Sequence, residues 1–340
     1  MNSNPTVSVV VPLYNREKFL PQLAKTMESQ TFRDFELILI NDGSSDGTAE
    51  WIQQNKNKKF SVPVIYREQE NAGPYAARNH GLRLASGKYI AFQDSDDEWP
   101  DYHLQEFVQT LEENPDIDWL FGSLTRIDHD TREIVEATNF VREDKSKHPF
   151  VLLRSDPVTG SETTKIINDP NAGETAIVHS VPGSTQCALI RREVFKSHLF
   201  DESFRTAYDR FYAIKLVLLG YNFAFTEKTH QIYHIHDSHI SLVTAGSAQK
   251  RKRSALTMIK GYRGLSDFVS TPSQRSAISQ RLAKVYAWEL SMACQELGEY
   301  KNAMRAMMKA VSLSPGTWLY WRSLLASLVR YSLNLFKISR

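Results

Sequence analysis

Short apolar, β-branched runs alternate with helical patterns through roughly the first 120 residues, and this alternation limits the chain to a narrow set of folds. Val7 to Val11, Phe35 to Ile40, Val62 to Tyr66, Tyr89 to Gln93 and Trp119 to Gly122 read as strands. Between them, Phe19 to Ser29, the segment from Thr48, Pro74 to Ala85 and Asp101 to Asn114 read as helices. Successive βα units specify an α/β fold with a mostly parallel sheet flanked by helices. Ligands of such sheets bind at the carboxyl ends of the strands. Three strands here end in polar residues: Pro12-Leu13-Tyr14-Asn15, Asn41-Asp42-Gly43-Ser44-Ser45-Asp46-Gly47 and Asp94-Ser95-Asp96-Asp97. One crevice can be lined by all three.

The third of these ends places three carboxylates within four positions. Carboxylates that close repel one another unless a cation sits among them. A hard divalent ion such as Mg²⁺ or Mn²⁺ takes one or two carboxylates and completes its shell with water and phosphate oxygens. The pattern therefore points to phosphate chemistry. Asp42 to Gly47 superficially fits a calcium loop, but Gln53 stands where the bidentate Glu is needed and no suitable helix precedes Asp42. A strand-to-helix turn is the better account, with Asp46 or Ser45 capping the next helix and Asp42 projecting into the crevice.

A chain of 340 residues exceeds what one hydrophobic core usually holds, so two domains, or one with an appendage, are expected. A net charge of +2 gives no basic domain for nucleic acid. Cys187 and Cys294 are far apart in the sequence, which fits a reducing compartment and small core residues. The amino terminus lacks the basic and apolar blocks of a secretory signal, and no uncharged apolar run approaches the ~18 residues of a membrane span. The expectation is a cytoplasmic protein. Residues from about 128 to 181 lose periodicity and read as a long functional loop. Regularity returns with a strand at Cys187 to Ile190, a helix near Arg192 and another from Tyr208 to Leu219. Lys250-Arg251-Lys252-Arg253 reads either as a solvated helix face or as a phosphate-sensing loop.

Four segments taken in order carry a family resemblance: Ser8 to Asn15, Leu39 to Thr48, Asn71 to Asn79 and Gly87 to Asp97. Together they resemble glycosyltransferase family 2. That resemblance implies a GT-A fold (Rossmann-like), a nucleotide-diphosphate sugar donor, most simply a UDP-sugar, a divalent metal (Mn²⁺ or Mg²⁺), and inversion at the anomeric carbon. It implies that Pro12 and Tyr14 flank the nucleobase, that Asp42 hydrogen-bonds it, and that Arg78 lies near base or diphosphate. Asp94 with Ser95 would face the ribose side and Asp96 would ligate the metal. Asp209, in Ala207-Tyr208-Asp209-Arg210, is similar to the family's base, although Tyr208 stands where an acid usually precedes it.

Among the histidines of Thr229 to His239, strand alternation places His230, His234 and His236 on one face, so a zinc site enters consideration, without a cysteine to support it. The resemblance instead implies that His236 is a metal or diphosphate ligand just before a loop, Ser241 to Lys250, that closes over the nucleotide. His234 stands where relatives often carry Arg. Gly183 to Gln186 would line the acceptor side. No Gln-x-x-Arg-Trp segment occurs, which argues against a processive polysaccharide synthase. The acceptor is expected to be a carbohydrate or a lipid-linked sugar.

Leu290, Gly298, Tyr300, Ala303, Ala310 and Pro315 match the spacing of one tetratricopeptide-like hairpin, about 284–316. From Trp318 on, Arg322, Arg330, Lys337 and Arg340 share a helical arc of about 80°, opposite Trp321, Leu324, Leu328 and Leu335. Such a basic amphipathic helix, 317–340, can lie on a membrane surface, pack on the hairpin or mediate self-association. The expected organisation is a catalytic domain over 5–245 and a helical region over 246–340. Two alternative readings are a non-catalytic glycosyltransferase-like scaffold and a sugar nucleotidyltransferase, although the latter needs a glycine-rich signature after the first strand that this chain lacks.

Overall fold

The computed structural model describes residues 4–183, 185–236 and 246–338, with side chains described as far as residue 332. These residues form two units. One comprises 4–172, 181–183 and 185–236; the other comprises 173–180 and 246–338.

The first unit is built on a mixed sheet. Strands β1 (Val7–Leu13), β2 (Phe35–Asn41), β3 (Val64–Glu68) and β4 (Tyr89–Phe92) pair in the order β3-β2-β1-β4, all parallel. Every residue of β2 is buried, as the apolar runs require of a sheet covered on both faces. Helices α1 (Leu20–Ser29), α2 (Thr48–Lys59), α3 (Pro74–Leu84) and α4 (His103–Glu113) alternate with these strands. Pro12 is tolerated inside β1 because pairing with β4 stops at Val10, which leaves that side of the strand open where the N–H is missing. Glu36 is buried in β2, and its Oε1 accepts from Ser8 Oγ, Ser86 N and Ser86 Oγ.

The other half of the sheet changes direction. β9 (Ala188–Arg191) runs antiparallel between β4 and β5 (Trp119–Asp128), and β10 (Phe223–Ile235) lies parallel to β5. The stretch 128–181, expected to be aperiodic, holds β6 (Ile134–Glu136), β7 (Ser155–Pro157), β8 (Thr164–Ile167) and helix α5 (Ala172–His179). Strands of three or four residues are too short to show a period, and they form here because a ready sheet edge supplies their partners: β8 pairs with β10 and β7 with β8. Residues 173–180 of α5 belong to the second unit. Helices α6 (Arg192–Ser197) and α7 (Tyr208–Leu218) follow β9.

The second unit is helical. α8 (Ala248–Gly264) is capped by Ser247, whose Oγ accepts from Lys250 N. The stretch Ser241 to Lys250, expected as a loop, is therefore already helical from Ala248; residues 237–245 lie outside the described residues. Arg251 pairs with Glu296 and Lys252 with Glu299, so two members of the basic cluster are held by acids. α9 (Pro272–Lys284) opens with a Thr271/Gln274 capping box and continues through a π-helical turn, Val285–Leu290, into α10 (Ser291–Glu296). Gly298, at φ +73°, reverses the chain into α11 (Tyr300–Leu313), where Ala303, Met307 and Ala310 form the buried stripe. α12 (Trp318–Ile338) packs on α11 and buries Tyr320 and Ser327. Among the described residues no helix is long and apolar enough to cross a membrane.

Close approach of α3 to β1 sets the distance between that helix and the sheet. A Cβ at Gly81 would stand 2.3 Å from Val10 Cγ1. Gly→Ala inside a helix ordinarily stabilises by about 0.5–1 kcal/mol, but Val10 is buried and stiff at χ1. Overpacking of this kind costs about 1–3 kcal/mol, so Gly81→Ala should lower stability in urea unfolding, and Val10→Ala in the same chain should recover part of the loss.

Candidate active site

The loop after β4 is the centre of the site, and its carboxylates have separate partners. Asp94 accepts from Arg78 Nη2 at 2.9 Å through Oδ1 and from Gln186 Nε2 at 2.7 Å through Oδ2. Asp96 stands 3.5 Å from Arg16 Nη2 and 3.3 Å from His236 Nε2. Asp97 is buried, and its carboxylate accepts from Gln231 Nε2 at 2.5 Å and from His234 N at 3.1 Å. Burial, with Asp96 and then Asp94 adding like charge, raises the Asp97 carboxyl well above its ordinary range. A backbone pair between Glu98 and Ile232 continues this seam. The end of β10, and with it His236, is thereby fixed against the carboxylate loop.

Arg78 projects from α3 and is buried behind Asp94, with its guanidinium 5.5 Å from the Tyr75 ring centroid and 5.7 Å from that of Phe92. Burial works against its charge, but Asp94, Tyr75 and Asp209 together hold its pKa above the ordinary value. Tyr75 leads on to Asp209: its Oη donates to Asp209 Oδ1 at 3.2 Å and accepts from Tyr208 N at 2.6 Å. Burial, reinforced by Asp209, keeps the Tyr75 phenol protonated. Asp209 sits in the first turn of α7, half-buried, after Ala207 at φ +62°. Asp209 is thus linked through Tyr75 and Arg78 to Asp94.

The ends of β1 and β2 are tied together by short polar side chains. Asn15, at φ +54°, accepts from Ser45 N and donates its own N–H to Ser44 Oγ. Arg16 N donates to Thr48 Oγ1, and Glu17 N to Asp46 Oδ2. The N-cap of α2 is Gly47, which has no side chain to cap with, rather than the expected Asp46 or Ser45; Asp46, one residue earlier, accepts from Thr48 N through Oδ1. Tyr14 is 44% exposed and Pro12 is partly exposed beside it. Asp42 is turned onto the segment before α3, where its carboxylate accepts from Gln69 Nε2, Ala72 N and Gly73 N, each at 2.8 Å. Gly73, at φ +95°, delivers Pro74 to the first turn of α3. A carboxylate offers about four acceptor positions, so one remains on Asp42 after these three bonds. Ser95 is buried, and its Oγ has no hydrogen-bond partner among the described residues.

The three histidines of β10 and its end enter separate surroundings. His230 stacks on Phe107 at 3.9 Å and meets His103. His234 Nε2 lies 2.8 Å from Glu98, whose carboxyl is held down to about 2 by that contact and by Arg132. His236 turns to Asp96 and packs on Phe19 at 5.0 Å. Among the described residues no three His, Cys, Asp or Glu side chains form a complete ligand set. The two that converge, Asp96 and His236, supply an oxygen and an imidazole. That pair fits an ion that draws its other ligands from phosphate and water. Of Gly183 to Gln186, Ser184 lies outside the described residues, while Gln186 binds Asp94 and its carbonyl accepts from Trp99 Nε1.

Sequence reasoning missed Arg16, Tyr75 and Phe19 as parts of the site. Asp97 was visible as the third carboxylate of its cluster. Arg16 and Tyr75 follow polar turns whose geometry only the folded chain shows.

The family model for glycosyl transferase family 2 matches residues 8–199, more than half of the chain. The chain belongs to glycosyl transferase family 2. It is 40% identical to an uncharacterized glycosyltransferase of Rickettsia bellii over 203 residues, which is 60% of this chain and 25% of that protein. It is 36% identical over 112 residues to the putative teichuronic acid biosynthesis glycosyltransferase TuaG of Bacillus subtilis, covering 33% of this chain and 44% of that one. The chain spans from 14% to 44% of the length of these and other curated relatives, including the glycosyltransferase GlyA of Streptococcus pneumoniae and YibD of Escherichia coli. Among solved structures, S. aureus TarS residues 1–349 with UDP-GlcNAc aligns with TM-score 0.65 at 19% identity, over 91% of this chain and 81% of that one. Mannosyltransferase PcManGT of Pyrobaculum calidifontis, in complex with GDP-Man and Mn²⁺, aligns with TM-score 0.58 at 17% identity, over 98% and 87%. The GT-A fold of this family 2 protein is thereby established.

Each Asp42 bond has a buried or partly buried backbone or amide donor, and losing an acceptor costs about 1 kcal/mol or more per unmet group. Asp42→Ala should destabilise the protein by about 2–3 kcal/mol and speed hydrogen exchange at the Ala72 and Gly73 amides, leaving the amides of β2 protected.

Proposed function

We propose that this protein is an inverting glycosyltransferase that moves a sugar from a nucleotide-diphosphate donor, most simply a UDP-sugar, to a hydroxyl of a carbohydrate or lipid-linked acceptor. The observation that carries the reading is the line from the carboxylate loop to Asp209: Asp94 to Arg78 at 2.9 Å, the guanidinium on the Tyr75 ring, and Tyr75 Oη to Asp209 at 3.2 Å. It connects the donor-side carboxylates to a half-buried acid on a separate element, the two halves that an inverting transfer requires.

In this reading the exposed Tyr14 ring and Pro12 flank the base, and the remaining acceptor position on Asp42 meets the uracil N–H. Asp94, oriented by Arg78 and Gln186, faces the ribose beside Ser95. A divalent ion, Mn²⁺ or Mg²⁺, held by Asp96 with His236 would supply charge neutralisation for the diphosphate. Arg16, already beside Asp96, adds positive charge on the same side. Asp209 accepts the proton of the acceptor hydroxyl as its oxygen bonds to the anomeric carbon. The bond from that carbon to the diphosphate breaks on the opposite face, its electron pair leaves with the nucleotide, and configuration inverts. Tyr75 holds the Asp209 carboxylate in place through its Oη.

A panel of nucleotide sugars, each with acceptor and with or without Mn²⁺, tests the reading through release of the nucleotide diphosphate. Release of pyrophosphate instead would identify a nucleotidyltransferase, and binding of nucleotide without turnover would identify a scaffold. Asp209→Asn should lower transfer by about 10²-fold or more with nucleotide binding retained. Asp96→Ala should abolish the Mn²⁺ dependence of nucleotide binding, read by titration calorimetry, with the melting curve preserved.

A further inference from the structure

We infer that α12 docks on an anionic lipid surface through the face that carries Trp318, Trp321, Leu325, Leu328 and Val329. This inference is independent of the donor chemistry and of which sugar is moved. At 100° per residue these five side chains fall within an arc of about 100°, and they are 72%, 44%, 59%, 39% and 58% exposed. The opposite side of the helix carries the buried Tyr320, whose ring lies 5.7 Å from that of Trp288, and the buried Ser327, which meets Gln295 of α10, while the helix as a whole packs on α11. The hairpin thus takes the narrow, partly polar side of α12. The broader apolar side is left over.

Charge decides what covers that side. From residue 300 to 340 the sequence contains Lys301, Arg305, Lys309, Arg322, Arg330, Lys337 and Arg340 and neither Asp nor Glu. A second copy meeting the face by twofold symmetry would bring two such segments together, with no carboxylate from either to offset them. An anionic bilayer supplies the missing counter-charge, worth about 1 kcal/mol for each Lys or Arg near its surface. Arg322 lies on the wheel beside Trp318 and Val329, at the edge of the apolar arc. The indoles suit the headgroup boundary, where an apolar ring and a polar N–H are both accommodated. Trp321 has its N–H satisfied within the protein by Pro315 O at 2.8 Å, so its ring can enter the acyl region without an orphan donor. Since α12 is not apolar enough to span, it lies in the surface.

The test uses the full chain with vesicles of phosphatidylglycerol or of phosphatidylcholine, read by flotation and by tryptophan emission. The wild-type chain should float with phosphatidylglycerol vesicles, shift its emission to the blue, release at high salt, and leave phosphatidylcholine vesicles largely unbound. The triple change Trp318→Ser, Leu325→Ser and Val329→Ser should weaken vesicle affinity by about tenfold or more while circular dichroism stays unchanged. The emission shift reads the wild-type chain alone, so the test does not depend on the variant folding. Absence of binding to phosphatidylglycerol, or equal binding to both lipids, overturns the inference. So does a wild-type dimer that the triple change dissolves, which assigns the face to a second copy, or an acidic protein that competes the chain off vesicles through this face.

Discussion

Repulsion among Asp94, Asp96 and Asp97 is the constraint around which the first unit is arranged. Like charges a few ångströms apart, partly shielded from water, cost several kcal/mol unless each is answered. The answers come from four places: Arg78 on α3, Gln186 before β9, Arg16 after β1, and the β10 end with Gln231, His234 N and His236. Asp97, besides its bonds to Gln231 and His234 N, is pushed toward its neutral form by burial and by the charges of Asp96 and Asp94. Because those partners come from distant points in the chain, satisfying the carboxylates also aligns the elements that line the crevice.

The candidate site is bounded by backbone that few residues adopt. Asn15, Gly73 and Ala207 all have positive φ, and each stands just before a segment that matters: Arg16, the start of α3 with Tyr75 and Arg78, and Asp209. Asn and Gly adopt that conformation readily, whereas Ala does so at a cost of about 1–2 kcal/mol. Tyr75 Oη helps to offset it, since it accepts from both Tyr208 N and Asp209 N just past Ala207. The strain therefore sits where it aims the Asp209 carboxylate back toward α3, and Tyr75 serves as both the anchor of the turn and the partner of the acid.

The βα alternation and the three polar strand ends could be read from the chain, whereas Asp209 and His236 were offered only by the family resemblance. Strong period and unusual local composition carry those signals. Direction in the second half of the sheet could not be read, because Ala188 to Ile190 is a short apolar run that fits either orientation, and a neighbouring strand on each side decides it. β6, β7 and β8, of three or four residues, are too short to display a period. The burial of Arg78 behind Asp94 and of Asp42 on the 69–73 segment depends on which donors tertiary packing brings near. In the second unit, the small residues of α11 marked the hairpin, but the helical wheel alone did not show which side of α12 packs, since Tyr320 and Ser327 are no more apolar than the exposed stripe.

The central claim is that the carboxylate loop and the β10 end together hold the metal and diphosphate of the donor. A crystal structure of the protein with UDP and Mn²⁺, with data collected at the manganese edge, tests it most directly. The account predicts an anomalous peak bonded to Asp96 and His236 and to the diphosphate, with the uracil beside Tyr14. A UDP bound with no manganese at Asp96, or with its diphosphate away from the β4 end, would contradict it.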